Sequence, residues 1–239
     1  MIVSARDLDF KTLNQHIRDS EDREIVINDC YGQRFIASGL KGRRIVINGT
    51  PGNALGAYLD GCDITVNGNA QDAVGDTMNG CKIVVHGNAG DALGYAMRGG
   101  IIYVKGNSGY RTGIHMKEYK DKKPVIVVGG STGSFLGEYL AGGIIIVLGL
   151  DTDGFPAGYF TGTGMHGGEI FIRSDSAPVN LPKQVSVSLA SPEDMAGIEN
   201  YIREFSELFG VPVDEIYGKP FYHLTPNAKN PYKRLYTEN

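Results

Sequence analysis

The residue types that most often do chemistry in proteins are sparse and scattered in this chain. It contains three cysteines, at Cys30, Cys62 and Cys81, and five histidines, at His16, His86, His115, His166 and His223. No histidine stands four residues from another ligand type, and no CxxC-like cysteine pair is present, so neither a zinc site nor a disulfide framework is indicated. A phosphate-binding loop and a His-Glu-x-x-His motif are also missing. We therefore expect no catalytic, cofactor-binding or metal site in this chain.

One segment combines aromatic, charged and histidine side chains at a place where the spacing of the chain changes. Gly106 and Gly129 are 23 residues apart, four more than the repeat spacing described below. We interpret the extra length as a bulge within residues 107–124 and predict a partner interface there, because aromatic residues and arginine dominate interface energetics. The candidate interface residues are Tyr110, Arg111, His115, Lys117, Glu118 and Tyr119. A solvated loop and a ligand-binding surface are the alternatives.

The elements that position these residues are organised by a short repeat. One glycine-rich phrase recurs three times between residues 52 and 107. The glycines that close successive phrases lie 19 residues apart, at Gly49, Gly68, Gly87 and Gly106. Within the phrases stand Gly-x4-Gly pairs, at Gly56 and Gly61, Gly75 and Gly80, and Gly94 and Gly99. We expect the paired glycines to supply corners with positive φ, a conformation that other residues resist.

Each repeat also contains one short run that alternates apolar, variable and apolar residues. These runs begin at Ile25, Ile45, Ile64, Ile83, Ile102, Val125, Ile145 and Ile170. The alternation predicts a strand with one buried and one solvated face, and a fixed period of about 19 residues predicts a solenoid. We predict an all-β solenoid, a single-stranded parallel β-helix of about eight coils over residues 25–177. Right-handedness is expected from the general rule for parallel crossovers.

The flanking segments are expected to cover the two ends of this rod. In residues 1–24, Asp9 is suited to cap a short helix with Phe10, Leu13 and Ile17 on one face. Residues 178–239 predict a strand that alternates from Val185 to Leu189, then a helix that starts at Ser191 and stops at Gly210. The remaining tail looks extended, with basic residues near its end at Lys233 and Arg234.

Composition narrows the function classes. The net charge of −4 is mild and no basic stripe runs through the repeats, so nucleic acid is an unexpected partner. No signal peptide and no apolar run near 18 residues is present, which predicts neither secretion nor membrane insertion. Three cysteines without a pairing pattern favour the cytoplasm. The oligomeric state is left open, and a homo-oligomer is compatible with the sequence.

The ordered succession of these phrases resembles a known family, the C-terminal domain (domain 3) of the glutamate synthase large, or alpha, subunit. The resemblance covers nearly the whole chain and is similar to the stand-alone form of that domain. The residues that carry it include Gly32–Ile36, Gly49–Asn53, Gly68–Gly75, Gly94–Gly100, Gly113–Lys117, Phe135–Tyr139, Gly164–Gly168, Pro226 and Tyr232–Arg234. Each glycine phrase is weakly specific, whereas their order is strongly so.

The resemblance implies a role without catalysis of its own. In the family, glutamine hydrolysis belongs to an amidotransferase part and reductive amination to a part that binds FMN and an iron–sulfur cluster, and the β-helix braces the two. Those cofactors are therefore expected in partner subunits, and this chain is expected to be a component of an oxidoreductase complex for glutamate biosynthesis.

Two rival interpretations come from other classes. The repeat also resembles the β-helix subunit of formylmethanofuran dehydrogenase, which is again an assembly component. An independent β-helix enzyme or binding protein is the other alternative, and it predicts a groove of aromatic residues and paired carboxylates on repeated positions.

Overall fold

The computed structural model describes residues 1–227, which form a mostly-β fold with one large mixed sheet of 11 strands. The strands are β1 (Ile2–Ser4), β2 (Glu24–Tyr31), β3 (Arg44–Thr50), β4 (Asp63–Asn67), β5 (Lys82–Val85), β6 (Ile101–Val104), β7 (Val125–Val128), β8 (Ala141–Val147), β9 (Gly167–Arg173), β10 (Val185–Leu189) and β11 (Phe221–Pro226). The helices are α1 (Phe10–Asp19), α2 (Pro192–Phe209) and α3 (Val213–Ile216).

Strands β1 to β9 lie side by side in chain order, and each neighbouring pair is parallel. In the regular part of the sheet the register advances by one repeat, since Ile45 pairs with Ile64 and Ile64 with Ile83. After β9 the direction changes, because β11 pairs antiparallel with β9 and β10 pairs antiparallel with β11. Each 19-residue repeat thus places one strand on the strand of the repeat before it.

The connections between strands stack in the same way. Each contains a five-residue segment, here called the corner segment, whose first, third and fifth residues have φ between 50° and 73°. The corner segments are residues 35–39, 54–58, 73–77, 92–96, 111–115, 135–139 and 160–164. In residues 111–115 the first and fifth N–H groups donate to the following repeat and the third donates to the preceding one. Because both neighbouring repeats hold this backbone, left-handed conformations persist in it.

The main core lies between the strands and the corner segments. The inward residues of β4 and β5, including Val66 and Val85, are fully buried, as the alternation predicts. The glycine in the middle of a corner segment lets the two walls touch, because a Cβ at Gly94 would lie 2.5 Å from Ile126 Cδ1. The interior is therefore narrow, and it is filled by ladders of like apolar residues from successive repeats.

The expectation that each strand has one solvated face is wrong for the later strands. The outward residues Val84, Tyr103, Val127, Ile146 and Phe171 are all buried. They form a second core with Ile198, Ile202 and Phe205 of α2. Helix α2 therefore packs along the outer face of the sheet and, contrary to the expectation, does not cover an end of the repeats.

The two ends are covered partly as expected. Asp9 caps α1 by accepting from the N–H groups of Lys11 and Thr12, and Leu13 and Ile17 are buried, as predicted. The short strand β1, which the sequence did not predict, extends the parallel sheet beside β2. At the other end the prediction of an extended tail is wrong at α3, whereas Phe221–Pro226 is extended and pairs with the sheet as β11. Lys233 and Arg234 lie outside the described residues.

Two of the paired glycines do not have the expected positive φ. Gly56, Gly61, Gly75 and Gly94 have it, with φ of 66°, 102°, 69° and 66°, whereas Gly80 and Gly99 do not. At Gly99, glycine is required by space, because an added Cβ would lie 2.6 Å from the carbonyl oxygen of Asn79. Nothing around Gly80 demands glycine.

The closing glycines divide in the same manner. Gly49 and Gly68 have φ of 130° and 157°. Gly87 and Gly106 do not have positive φ, but a Cβ at these positions would lie 2.3 Å and 2.2 Å from the amide oxygens of Asn69 and Asn88. Those asparagine oxygens accept hydrogen bonds from the N–H groups of Asn88 and Asn107, each one repeat further along. Part of the glycine pattern therefore reflects close stacking of repeats and not backbone handedness.

Candidate partner interface

The insertion in the sixth parallel repeat is longer, and lies later, than the glycine spacing suggested. Val104 pairs with Val128, so Gly130, not Gly129, is equivalent to Gly106. Residues 111–115 still form an ordinary corner segment, and the extra residues follow Lys117. The bulge expected within residues 107–124 is therefore present only after Lys117, and the part of the expectation that included residues 110–117 in it is wrong.

Of the predicted interface residues, only Glu118 and Tyr119 belong to the insertion. The insertion is a small hairpin closed by an antiparallel bridge between Tyr119 and Lys122. It folds back over the earlier repeats, since Lys122 Nζ lies 3.2 Å from Asp60 Oδ1. Glu118 accepts a hydrogen bond from the N–H of Gly143, 3.1 Å away. The hairpin is thus tied to the repeats on both sides of it.

The other four predicted residues lie on the regular surface of the repeats. Tyr110, Arg111, His115 and Lys117 are all exposed. Arg111 is less free than the sequence suggested, because its Nε donates to Glu138 Oε2 at 3.1 Å and the Glu138 side chain is only 13% exposed. Their exposure and the aromatic character of Tyr110 and His115 therefore agree with the predicted interface.

His115 lies in a file of stacked rings that crosses three repeats. Its ring is edge-on to Tyr95, with centroids 6.0 Å apart, and parallel to Tyr139 at 5.1 Å. The Tyr139 ring also covers Gly164, so that an added Cβ at this glycine would lie 2.4 Å from the ring. His115 and Tyr139 both occupy the fifth position of their corner segments, so the repeat spacing itself aligns the rings.

Arg111 begins a second file at the first position of the corner segments. Its guanidinium lies 4.9 Å from the centroid of the Phe135 ring, a cation–π distance. Phe135 stacks on Phe160 at 5.0 Å, and Tyr159 lies beside Phe160 at 6.4 Å. The Arg111–Glu138 ion pair joins this file to the first. We call the two files together the ring surface: Tyr95, Arg111, His115, Phe135, Tyr139, Tyr159 and Phe160.

Five members of the ring surface hold a strained backbone. Arg111, His115, Phe135, Tyr139 and Phe160 have φ between 53° and 63°. A bulky side chain at such φ costs about 1 to 2 kcal/mol relative to the usual region. Glycine would remove that cost, and equivalent fifth positions at Gly39 and Gly164 are glycine. Four of these side chains are exposed and Phe135 is half-buried, and bulky side chains kept at strained, mostly exposed positions indicate a function outside the fold itself.

An apolar pocket adjoins the second file. It has a volume of about 480 Å³ and lies between the last repeat and the segment that follows β9. Its apolar lining includes Phe155, Tyr159, Phe160, Val179 and Leu181. Tyr159 and Val179 are each 78% exposed, so the pocket opens to solvent beside the ring surface.

Sequence reasoning did not select Tyr95, Phe135, Tyr139, Tyr159 or Phe160 as site residues. The signal was present, because alignment of the repeats on the middle glycine of each corner segment puts these residues in the same or adjacent columns as Arg111 and His115. The irregular glycine spacing pointed to the insertion instead, whereas the ring surface is formed by residues at regularly repeated positions.

Two polar clusters fix α2 beside this scaffold. The Tyr103 hydroxyl donates to Glu204 at 2.6 Å, and Lys82 also pairs with Glu204. Burial, followed by the hydrogen bond to Glu204, raises the pKa of Tyr103, so the phenol stays a donor. Burial alone would raise the pKa of Glu204, but the hydrogen bonds from Lys82 and Tyr103 lower it overall.

The second cluster surrounds His223 of β11. Its Nε2 lies 3.0 Å from Glu169 and its Nδ1 lies 3.3 Å from Asp194, and its ring stacks on Phe171. Burial alone would lower the pKa of His223, but the hydrogen bond to Glu169 and the charges of Asp194 and Glu169 outweigh burial and raise it. The cluster joins β9, β11 and the start of α2 through charge.

Other motifs and residue types that could suggest a chemical site belong to the scaffold of the repeats. Residues 129–133 match the letters of a Gly-x-Ser-x-Gly elbow, which sequence reasoning overlooked, but no helix follows them as that motif requires. Ser131 instead donates its N–H to Asn107 at 2.6 Å, within the asparagine ladder. The three cysteines are free thiols. Within residues 1–227, no cluster of three or more histidine, cysteine or carboxylate side chains could hold a metal ion.

Comparison with known proteins identifies a family model, a relative and a solved structure that are similar to this chain. The family model described as the GXGXG motif matches residues 15–226. The uncharacterized protein MJ1350 of Methanocaldococcus jannaschii is 41% identical over 251 residues, which cover 99% of this chain and 96% of that protein. A chain of the formyltransferase/hydrolase complex (FhcABCD) from Methylorubrum extorquens, crystallised with methylofuran, superposes with a TM-score of 0.63 at 20% identity. That superposition covers 87% of this chain and 79% of the other, and at such identity it shows a shared fold.

Stacked 19-residue repeats with an exposed ring surface define a mostly-β repeat protein. More narrowly, the chain belongs to the GXGXG motif family, the family of the C-terminal domain of the glutamate synthase alpha subunit. None of the helices among the described residues is long and apolar enough to cross a membrane.

Proposed function

We propose that this chain is a non-catalytic structural component of a glutamate synthase-type complex. Its stacked repeats form a single-stranded, right-handed parallel β-helix that braces an amidotransferase part and an FMN-binding synthase part in the cytoplasm. FMN and the iron–sulfur cluster belong to those partners. The observation that carries this proposal is the family match, which spans nearly all of the described chain.

The structure supports an assembly role in two further ways. Parallel strands in chain order, with hydrogen-bonded corner segments between them, suit a stiff rod. The ring surface supplies exposed aromatic and arginine side chains, which are residue types enriched at interface hot spots. The right-handed sense follows the general preference of parallel crossovers.

A second candidate is an assembly component similar to the β-helix subunit of formylmethanofuran dehydrogenase. The likeness to a chain of the formyltransferase/hydrolase complex favours it, since that complex also has several subunits. The two candidates share a bracing role and differ in the partner chains.

Purification of the native complex tests both. A tagged chain is isolated from its natural cells, and the co-purifying chains and cofactors are identified by mass spectrometry and absorption spectra. We expect an amidotransferase chain and a flavin- and iron–sulfur-containing synthase chain, together with conversion of glutamine and 2-oxoglutarate to glutamate in the presence of a reductant. A molybdenum or tungsten enzyme in their place would favour the second candidate.

The isolated chain provides the matched control. We expect it to show neither glutaminase nor glutamate synthase activity, because the proposal assigns both reactions to partners. Turnover by the pure chain well above a boiled sample would contradict the bracing role.

A further inference from the structure

We propose that the ring surface binds an acidic segment of a partner subunit, and that this segment places an apolar side chain in the adjoining pocket. The inference rests on the proposed assembly role and deepens it, because it assigns the face of the repeats and the chemistry of the partner.

Charge argues for an acidic partner. The chain as a whole has a net charge of −4. Beside the rings of Tyr95 and His115, however, lie two exposed cations, Arg98 and Lys117. These two residues form a positive patch on a negative protein, which attracts carboxylates.

The basic residues flank the rings. Arg98 and Lys117 are exposed and occupy equivalent positions in successive repeats. Each lies two residues after the fifth position of its corner segment, which is Ala96 in the first repeat and His115 in the next. A peptide backbone that crosses the repeats beside Tyr95 and His115 thus passes close to two cationic groups. Arg111 already pairs with Glu138, so its positive charge is not assigned a role in attracting the partner.

The rings and the pocket argue for an apolar anchor. Phe160 and Tyr159 are 58% and 78% exposed, although aromatic rings gain most from burial. Both rings line the pocket of about 480 Å³, and a pocket beside exposed aromatic side chains is typical of an interface hot spot. An anchor side chain in that pocket covers the apolar surface that the chain leaves open.

The dimensions suit an extended segment. Along the stacking direction, three repeat steps separate Arg98 from Phe160, which at about 4.8 Å a step is about 14 Å. Phe160 is at the first position of its corner segment, whereas Arg98 follows the fifth position of another, so the path between them also crosses the corner segment. The occupant is therefore an extended segment of more than about four residues at about 3.3 Å a residue, with carboxylates toward Arg98 and Lys117 and an apolar residue toward Phe160.

Site-directed photo-crosslinking tests the proposal. The full chain carries a benzophenone side chain at position 110 or 159, or at Tyr31 as an exposed control (89%) on β2, and is irradiated within the native complex. We expect crosslinks from positions 110 and 159 to an acidic peptide of another subunit. A synthetic peptide of that captured sequence is then titrated against the purified chain.

Charge variants test the chemistry in the same titration. The double variant Arg98→Glu and Lys117→Glu should weaken the peptide about tenfold, equivalent to about 1.4 kcal/mol. Lys105→Glu is the matched control, because Lys105 is exposed in the same repeats but follows β6 in the column of Asn67 and His86, away from the ring surface. It should leave the affinity unchanged, and all variants should melt like the wild type.

Phe160→Gly tests the anchor, because Phe160 is exposed and glycine accepts the left-handed conformation at that position. We expect it to weaken the peptide about tenfold as well. Equal binding by Phe160→Gly, or a captured segment that is basic or belongs to a second copy of this chain, would overturn the proposal. If partner chains co-purify but crosslink only at position 31, the proposed binding role of the ring surface is overturned and the bracing role stands. If no partner chains co-purify, both the binding role and the bracing role are overturned.

Discussion

At the scale of single residues, the repeat spacing determines which side chains meet. Residues at equivalent positions of successive repeats lie above one another, so Asn28, Asn48 and Asn67 form an amide ladder with bonds of 2.7 Å and 2.8 Å. The same stacking puts His115 on Tyr139. A side chain in this protein therefore interacts mainly with its equivalents, and a substitution acts through the column in which it lies.

Val66→Asp should destabilise the protein severely. Val66 is fully buried among ladder residues of the neighbouring repeats, so aspartate there is an unpaired buried charge that costs several kcal/mol. Thermal melting checks this, and Val85→Asp, one repeat further, should behave alike. Thr65→Asp is the control, because Thr65 points outward and is half-buried. Equal melting of the Val66 and Thr65 variants would show that the inward register is wrong.

His223 should make stability depend on pH. Its folded pKa is raised above 6.5, mainly because the hydrogen bond to Glu169 and the charge of Asp194 outweigh burial, and Lys123 also faces Glu169. The stabilisation by His223 is therefore complete below pH 6.5 and is lost as the pH rises through the raised folded pKa.

The measurement is the free energy of unfolding from urea titrations between pH 6 and pH 9. The difference between the wild type and His223→Gln should shrink as the pH rises. A difference that is the same at every pH would show that the histidine acts only through packing on Phe171.

At the scale of elements, α2 is the clearest case of local rules and tertiary packing acting together. Ser191 and Asp194 form a reciprocal capping box, Pro192 stands at the first turn, and Gly210 ends the helix with φ of 69°. These signals fix where the helix begins and ends. Its position on the outer face of the sheet follows from the apolar outward residues of the later strands.

Phe205→Ala should cost about 3 to 5 kcal/mol, the usual range for a large aromatic side chain removed from a core. Phe205 is fully buried in the second core and contacts Phe209 at 4.7 Å. Chemical unfolding measures the loss, and Glu207→Ala on the exposed side of the helix should change stability by less than about 0.5 kcal/mol. If both variants unfold like the wild type, α2 is an appendage and not part of the folded unit.

At the scale of the whole molecule, the repeats form a nearly one-dimensional array. Each strand from β2 to β8 pairs with the strands before and after it in the chain. Such arrays tolerate the loss of a complete unit, because every remaining repeat finds an equivalent neighbour.

Removal of residues 50–68, one full 19-residue repeat, should leave a cooperatively folded protein. Strand β3 then meets β5 in the same register, and the strands under α2 are untouched. Removal of residues 50–67 is the control, since the remaining extra residue shifts the strand by one position and turns its apolar side chains outward. Circular dichroism and melting curves compare the two. A 19-residue deletion that unfolds as readily as the 18-residue one would contradict independent, equivalent repeats.

The sequence by itself determined the repeat, the inward residues and the caps of the helices, because each depends on a period or on neighbours a few residues away. The strand alternation put Val66 and Val85 in the core, and Asp9, Ser191 and Gly210 marked helix ends. Family membership also follows from the sequence, since the order of glycine phrases is a linear pattern.

Only the tertiary structure decided the surfaces. Burial of Tyr103 and Phe171 required α2 to fold back over strands from which it is remote in sequence. The ring surface extends from Tyr95 to Phe160, and its members align because the insertion after Lys117 leaves the corner segments in step. Spacing between glycines could not reveal this, because a change in length does not say on which side of a corner the extra residues lie. The hydrogen bonds of residues 111–115 to the neighbouring repeats fix that choice.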